Sequence, residues 1–191
     1  MLRLFCRFIF WVTGWKLDTN VPPQIKRCIV IAAPHTSNWD YWYAMAAFII
    51  YRLKIRYAIK KEWVRFPFSL ITKPLGGIGI DRSAKKEGEP RLSQTEALMA
   101  LFKENDELIL LLTPEGTRSK NEHWRTGFYH VAKECNVPIL LGYVDYLKKI
   151  AGIGKIIYPS DMDKDMKEIM QFYKQFHAKY PDNFSVDIDY L

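Results

Sequence analysis

Three short stretches limit what this chain can become: Arg27 to Ala33 (RCIVIAA), Glu107 to Thr113 (ELILLLT) and Val137 to Val144 (VPILLGYV). Each is apolar at consecutive positions, not at alternate ones. A strand with one wet face alternates apolar and polar residues; a continuous run is apolar on both faces and must be covered on both. Pro23 and Pro34 bound the first run, and Pro138 falls at the start of the third, where a missing N–H is tolerated. Shorter strands are predicted at Arg56 to Ile59, Ile78 to Ile80 and Ile156 to Tyr158.

Helical patterns lie between these runs. Ser37-Asn-Trp-Asp40 has the form of a capping box, so a helix is predicted from Asn38 to Tyr51. Gln94 to Lys103 puts Ala97, Leu98, Leu101 and Phe102 on one face, and Phe128 to Cys135 also reads as helix. Ser160-Asp-Met-Asp163 repeats the capping-box form. It opens a C-terminal helix over 160–180 with a stripe of Met162, Met166, Ile169, Tyr173 and Phe176. Strands alternating with helices imply an α/β fold: one domain over 1–191, with a mostly parallel central sheet flanked by helices.

With hydrophobic residues at 49% and charged residues at 26%, the chain has a globular mixture, which excludes disordered and low-complexity classes. Residues 1–159 carry a net charge of +10 and residues 160–191 a net of −3, so the body of the chain suits anionic partners. Cys6, Cys28 and Cys135 have no short spacing, and His35, His123, His130 and His177 are scattered. No disulfide framework and no metal site is expected from them.

Aromatic side chains do not interleave with the basic ones as a nucleic-acid stacking platform would, so no nucleic-acid partner is expected. The opening residues, MLRLFCRFIFWVTGWK, are too short an apolar run to span a bilayer, and no small-x-small cleavage site follows. Residues 1–20 are read as a helix lying in a membrane interface, with Arg3, Arg7 and Lys16 facing headgroups.

Polar clusters follow three of the strands. In open α/β sheets sites form beyond the carboxyl ends of strands, so clusters far apart in sequence can meet. The first is His35-Thr-Ser-Asn-Trp-Asp40. With His35 in the loop and Asp40 in the first helical turn, the carboxylate can hold one imidazole nitrogen and leave the other as a base. The same carboxylate can also serve only as a helix cap. The second is Gly76-Gly-Ile-Gly-Ile-Asp-Arg82, where Arg82 can grip a phosphate or pair with a surface acid. The third is Thr113-Pro-Glu-Gly-Thr-Arg-Ser119, which places Glu115 and Arg118 at the mouth of a very apolar strand.

Taken together, these clusters resemble the motifs of the glycerolipid acyltransferases of the lysophosphatidic acid acyltransferase (PlsC-like) family. The histidine–four residues–aspartate box is His35 to Asp40, and the second block is Gly79-Ile-Asp-Arg82. The third block is Pro114 to Ser119 and the fourth is Val137-Pro-Ile139. The match runs over 28–142. Lys60-Lys-Glu62 and Arg125-Thr-Gly127 also fall at family-like positions. The chain departs from the pattern at Thr113, where an aromatic residue is common, and at Ile78-Gly79.

The resemblance implies transfer of a fatty acyl group from a thioester to the hydroxyl of a lysophospholipid, most simply 1-acylglycerol 3-phosphate, giving phosphatidic acid. It implies His35 as general base, Asp40 as its orienting carboxylate, and no covalent acyl-enzyme. Arg82 would hold the acceptor phosphate, with Glu115, Gly116, Thr117 and Arg118 shaping the same pocket, and Lys60 would stabilise the oxyanion or a phosphate. No cofactor is implied, only acyl-CoA or acyl carrier protein as co-substrate. The partner would be an anionic membrane surface, with the enzyme peripheral or monotopic on the cytoplasmic face. Glycerol 3-phosphate or another lysolipid as acceptor, a hydrolase using water, and a non-catalytic lipid binder of the same fold are the alternatives.

Overall fold

The structure is a computed structural model that describes residues 1–18, 25–80 and 93–191. Its centre is one seven-stranded sheet. In chain order the strands are β1 (Lys16–Leu17), β2 (Arg27–Ala32), β3 (Ile55–Lys60), β4 (Gly77–Ile80), β5 (Leu108–Leu112), β6 (Ile139–Asp145) and β7 (Ile150–Ile157). They lie in the order β1-β7-β6-β2-β5-β3-β4. Every pairing is parallel except β6 with β7, which is antiparallel.

The three apolar runs form the middle of this sheet: β2 pairs β5 on one side and β6 on the other. Their consecutive apolar residues are divided between two cores. Ile29, Ile31, Leu108, Leu110, Ile139 and Leu141 face one way, and Cys28, Val30, Ile109, Leu111 and Leu140 the other.

Among the described residues, six helices cover the sheet: α1 (Leu2–Thr13), α2 (Asn38–Tyr51), the single turn α3 (Ser69–Thr72), α4 (Gln94–Glu104), α5 (Gly127–Glu134) and α6 (Met162–Tyr173). α4, α5 and α6 supply Leu98, Phe102, Phe128, Tyr129, Met166, Ile169 and Tyr173 to the first core. α2 supplies Phe48 to the second. α1 lies against α2 through a third cluster of Cys6, Phe10, Trp15, Ala47 and Ile50. The two helices run antiparallel: Arg3 donates to the Ile50 carbonyl at 2.9 Å, while Phe10 meets Tyr43 at 6.2 Å between ring centres.

Three boundaries differ from the sequence reading. The N-terminal helix closes at Thr13, because Gly14 adopts a left-handed conformation and ends it; residues 16–17 then join the sheet. The last strand begins at Ile150, earlier than the predicted Ile156, and forms a hairpin with β6. Within that stretch a Cβ on Gly152 would sit 2.6 Å from both Asp18 and the Tyr51 hydroxyl, so close packing demands glycine. α6 stops at Tyr173 and not near 180, leaving Phe176 beyond it. Its cap is Asp161, which accepts the Lys164 N–H at 2.9 Å; the expected cap, Ser160, turns instead to Asp165.

Candidate active site

β2, β5, β3 and β4 run parallel, so their carboxyl ends share one edge of the sheet. His35 follows β2 on that edge, and Thr113 to Arg118 follow β5. A cavity of about 800 Å³ opens between them, and His35, Tyr41, Tyr57, Gly116, Arg118 and Arg125 are among its walls. The first residues of three helices line it as well: Asn38 of α2, Gln94 and Thr95 of α4, and Gly127 of α5. α2 and α4 have capping boxes with Asp40 and Glu96 in their first turns, whereas α5 begins with no side-chain cap and no acidic residue, so among the described residues no side chain covers its N-terminal N–H groups or offsets their partial positive charge. With two arginines, they make this an electropositive cavity suited to an anion.

Asp40 is 4% exposed and sits in the first turn of α2. Oδ2 accepts the N–H groups of Thr36 and Ser37, both at 2.7 Å. Oδ1 accepts the hydroxyls of Ser37 and Tyr146, again at 2.7 Å each. The Ser37 N–H bond is the reach-back half of the capping box the sequence predicted. Four donors thus fix the plane of the carboxylate. Oδ2 also faces Nδ1 of His35 at 3.9 Å. That is an ion-pair distance; a hydrogen bond would need the two groups about 1 Å closer.

Burial holds the His35 pKa below its usual 6.5. Asp40 works against that fall, and Arg118 adds to it. The imidazole is therefore neutral near pH 7, with a nitrogen free to accept a proton.

Glu115 is 1% exposed and lies behind the histidine, not on the cavity wall. Its Oε1 accepts the backbone N–H of His35 at 2.7 Å, while Oε2 has no hydrogen-bond partner among the described residues. Burial pushes its carboxyl pKa up to about 8. The Asn121 side-chain amide donates to the Glu115 carbonyl at 2.8 Å and the Arg125 N–H to the Pro114 carbonyl at 2.8 Å, so the loop folds back on itself. Gly116 makes that fold possible. Its φ is +69°, and a Cβ would lie 2.6 Å from Arg125 Nε.

The predicted site residues therefore divide. His35 and Asp40 come together, and Gly116 and Arg118 face the same cavity. Thr117 does not: it is exposed, and its hydroxyl accepts the Ser119 N–H at 3.2 Å within the loop. Glu115 acts on the histidine's backbone. Lys60 ends β3 on the same edge, but its side chain, like all of Arg82, lies outside the described residues. Arg3, expected to face headgroups, is instead tied to the end of α2.

The sequence reading missed Tyr146, and no motif marks it. It also left the C-terminal segment without a role. The structure uses that segment to brace the site. The Tyr180 N–H reaches Thr36 Oγ1 at 3.3 Å, and Lys179 lies 4.9 Å from the Trp39 ring. Asp187 accepts the Trp124 N–H at 2.9 Å, and the Ile188 N–H bonds the Glu122 carbonyl at 3.0 Å. His123, Asp187 and Asp189 could together offer three ligand atoms to a metal ion, all within 4.8 Å of one another. However, the Asp187 oxygens are taken by the N–H groups of Trp124 and Asp189.

The acyltransferase family model matches residues 16–141, about two thirds of the chain. The fold is similar to the crystal structure of PlsC, the 1-acyl-sn-glycerophosphate (LPA) acyltransferase from Thermotoga maritima. The TM-score is 0.58 at 15% identity, over 91% of this chain and 76% of that one. No curated protein matches the chain significantly.

Proposed function

The chain belongs to the acyltransferase family, and from that premise we propose that it moves a fatty acyl group from a thioester to the hydroxyl of a phosphate-bearing lysolipid, with 1-acylglycerol 3-phosphate the first acceptor to test. The observation that carries this reading is His35, backed by Asp40, at the wall of a cavity that also holds Arg118, Arg125 and the uncapped N-terminus of α5. A base stands beside a place for an anion.

Nδ1 of His35 is turned to Asp40, which leaves Nε2 for substrate. Nε2 takes the proton of the acceptor hydroxyl as its oxygen attacks the thioester carbonyl. The tetrahedral intermediate collapses, the C–S bond breaks, and the imidazolium returns the proton to the departing thiolate. Asp40 stabilises the transient imidazolium. General-base help of this kind contributes roughly 10²–10⁴ in rate. Arg118 and Arg125 hold the acceptor phosphate, and on the sequence resemblance Arg82 and Lys60 join them. No step uses a cysteine: Cys28 is buried, its thiol pKa pushed up to about 12.

The acceptor is a membrane lipid, and α1 supplies a means of reaching it. The helix buries Cys6 and Phe10 against α2 and turns Leu4, Phe5, Phe8, Trp11 and Val12 outward. Among the described residues no helix is long and apolar enough to cross a membrane. We read α1 as a helix lying in the surface of an anionic leaflet.

Free-thiol release from a long-chain acyl-CoA, with lysophosphatidic acid in mixed micelles, tests the reaction. Acceptor-dependent release that is lost in His35→Ala supports it. Release without acceptor would make the protein a hydrolase. Silence with both acyl-CoA and acyl carrier protein across a lysolipid panel would leave a lipid binder.

A further inference from the structure

Tyr146 lies in the tight turn of the β6–β7 hairpin, far in sequence from the histidine box, yet its hydroxyl donates to Asp40 Oδ1 at 2.7 Å. The turn that presents it is firmly built. Asp145 Oδ1 accepts the N–H groups of Leu147 and Lys148 at 3.0 Å each, and the Tyr146 N–H bonds the His177 carbonyl at 2.9 Å. The ring meets Trp15 edge-on, 5.2 Å between centres, and Tyr43 edge-on at 6.1 Å. A phenylalanine would satisfy all of that packing. What it would not supply is the bond to Asp40.

We propose that Tyr146 is a positioning residue for acyl transfer: its hydroxyl fixes the plane of the Asp40 carboxylate, so that Oδ2 stays toward His35 Nδ1, and draws charge away from it. This rests on the acyl-transfer reading above. Oδ2 is already engaged by the N–H groups of Thr36 and Ser37. The other donor to Oδ1, the Ser37 hydroxyl, belongs to the same turn as Asp40 and moves with it. Tyr146 is thus the one donor to Asp40, among the described residues, that comes from outside that turn. It ties the carboxylate to the rigid sheet.

The donor has an electrostatic side as well. The positive end of the O–H dipole opposes the carboxylate's pull on a proton at His35. Among the described residues, the other titratable groups set around the His35 cavities are Asp40 and Tyr41 of α2, Tyr57 of β3, Tyr143 of β6, and Glu115, Arg118 and Arg125 of the loop after β5. Of these, only Asp40 is hydrogen-bonded to the Tyr146 hydroxyl, so removing that hydroxyl acts on His35 through Asp40.

Tyr146→Phe is the test. The His35 imidazole is followed by NMR titration, its signal identified by its absence in His35→Ala. Its midpoint should rise by roughly half a pH unit, because a hydrogen bond that stabilised the carboxylate is gone. In the thiol-release assay kcat should fall about tenfold, the scale of one hydrogen bond to a charged group, with KM changed less than about twofold. Tyr43→Phe removes a hydroxyl from the same aromatic cluster and should move neither readout.

A folded Tyr146→Phe protein with an unmoved His35 midpoint and an unchanged kcat overturns the proposal. Should that variant fail to fold, 3-fluorotyrosine at position 146 keeps ring and hydroxyl and strengthens the donor; it should lower the His35 midpoint, and no change there overturns the proposal equally. If the unaltered protein transfers no acyl group, the acyl-transfer reading has failed, and the titration still decides whether Tyr146 governs His35.

Discussion

Asp40→Asn separates the two jobs that Asp40 holds, helix cap and partner of the histidine. An asparagine oxygen in place of Oδ2 still accepts the N–H groups of Thr36 and Ser37, now bonded at 2.7 Å to a charged acceptor. Its amide then faces the Ser37 and Tyr146 oxygens, and both hydroxyls can rotate to accept. The structural loss is the difference between charged and neutral hydrogen bonds, about 1 kcal/mol for each backbone bond and about 2 kcal/mol together. For a chain of this size that lowers Tm by roughly 4–8 °C.

Asp40→Ala instead strands two buried N–H groups at about 1–3 kcal/mol each, for a loss of about 2–6 kcal/mol. Activity should not follow the same order. With no carboxylate facing His35 Nδ1, kcat should fall by about 10²–10⁴ in both variants, with KM little changed because Asp40 does not line the large cavity. The assay is thiol release at 25 °C, where both variants stay folded, with a urea melt beside it. An Asn variant keeping more than about a third of the native kcat would refute the chemical role and leave Asp40 as a cap alone.

Glu115, with its pKa raised to about 8 from 4.5, holds in the folded state a proton that the unfolded chain has released. The stability this contributes is complete below about pH 4.5 and is lost as pH rises through about 8. Tm of the native protein should therefore decline between pH 5 and 8.5, and Glu115→Gln should flatten that decline; parallel curves for the two proteins count against it. Gly116→Ala, at φ +69°, should cost about 1–2 kcal/mol from backbone strain alone. By displacing Arg125 it should also raise KM for a phosphate-bearing acceptor more than for the thioester, and equal shifts in the two constants would argue against an Arg125–phosphate contact. Phe8 and Trp11 are 55% and 76% exposed, so replacing both with Ser should leave Tm within about 2 °C. The same change should weaken sedimentation with anionic vesicles by at least about tenfold.

Much of the layout was legible because buried parallel strands leave a plain mark. Leu108 to Leu112 could be little else, and the Ser37–Asp40 pair announced the start of α2. β7 was misread because Gly152 answers to Asp18 and Tyr51, partners that a local pattern does not contain. The same reason hid half of the site. His35 and Asp40 are neighbours in sequence, so their spacing displays them. Tyr146 reaches Asp40 across 106 residues, and Tyr180 reaches Thr36 across 144. Neither has a local signature, since Tyr in a hairpin turn and polar residues in an irregular tail are ordinary surface sequence. Glu115 was visible as a charge needing a reason, but its reason, the His35 N–H, is a backbone group that no side-chain motif can reveal.

On the ribosome, β2, β3 and β5 emerge and can pair long before the tail exists. The Tyr173 hydroxyl, which bonds the carbonyls of Ile31 and Gly142 at 2.9 and 3.0 Å, arrives late, and the partners of Thr36 and Trp124 arrive later still, with residues 180–187. Synthesis therefore lays down a scaffold first and sets the histidine loop last, so a nascent chain carries His35 and Asp40 through translation without the braces that aim them. A protease cut just beyond α6 would undo that final step. Such a clipped protein would keep every motif residue and still lose the loop's supports.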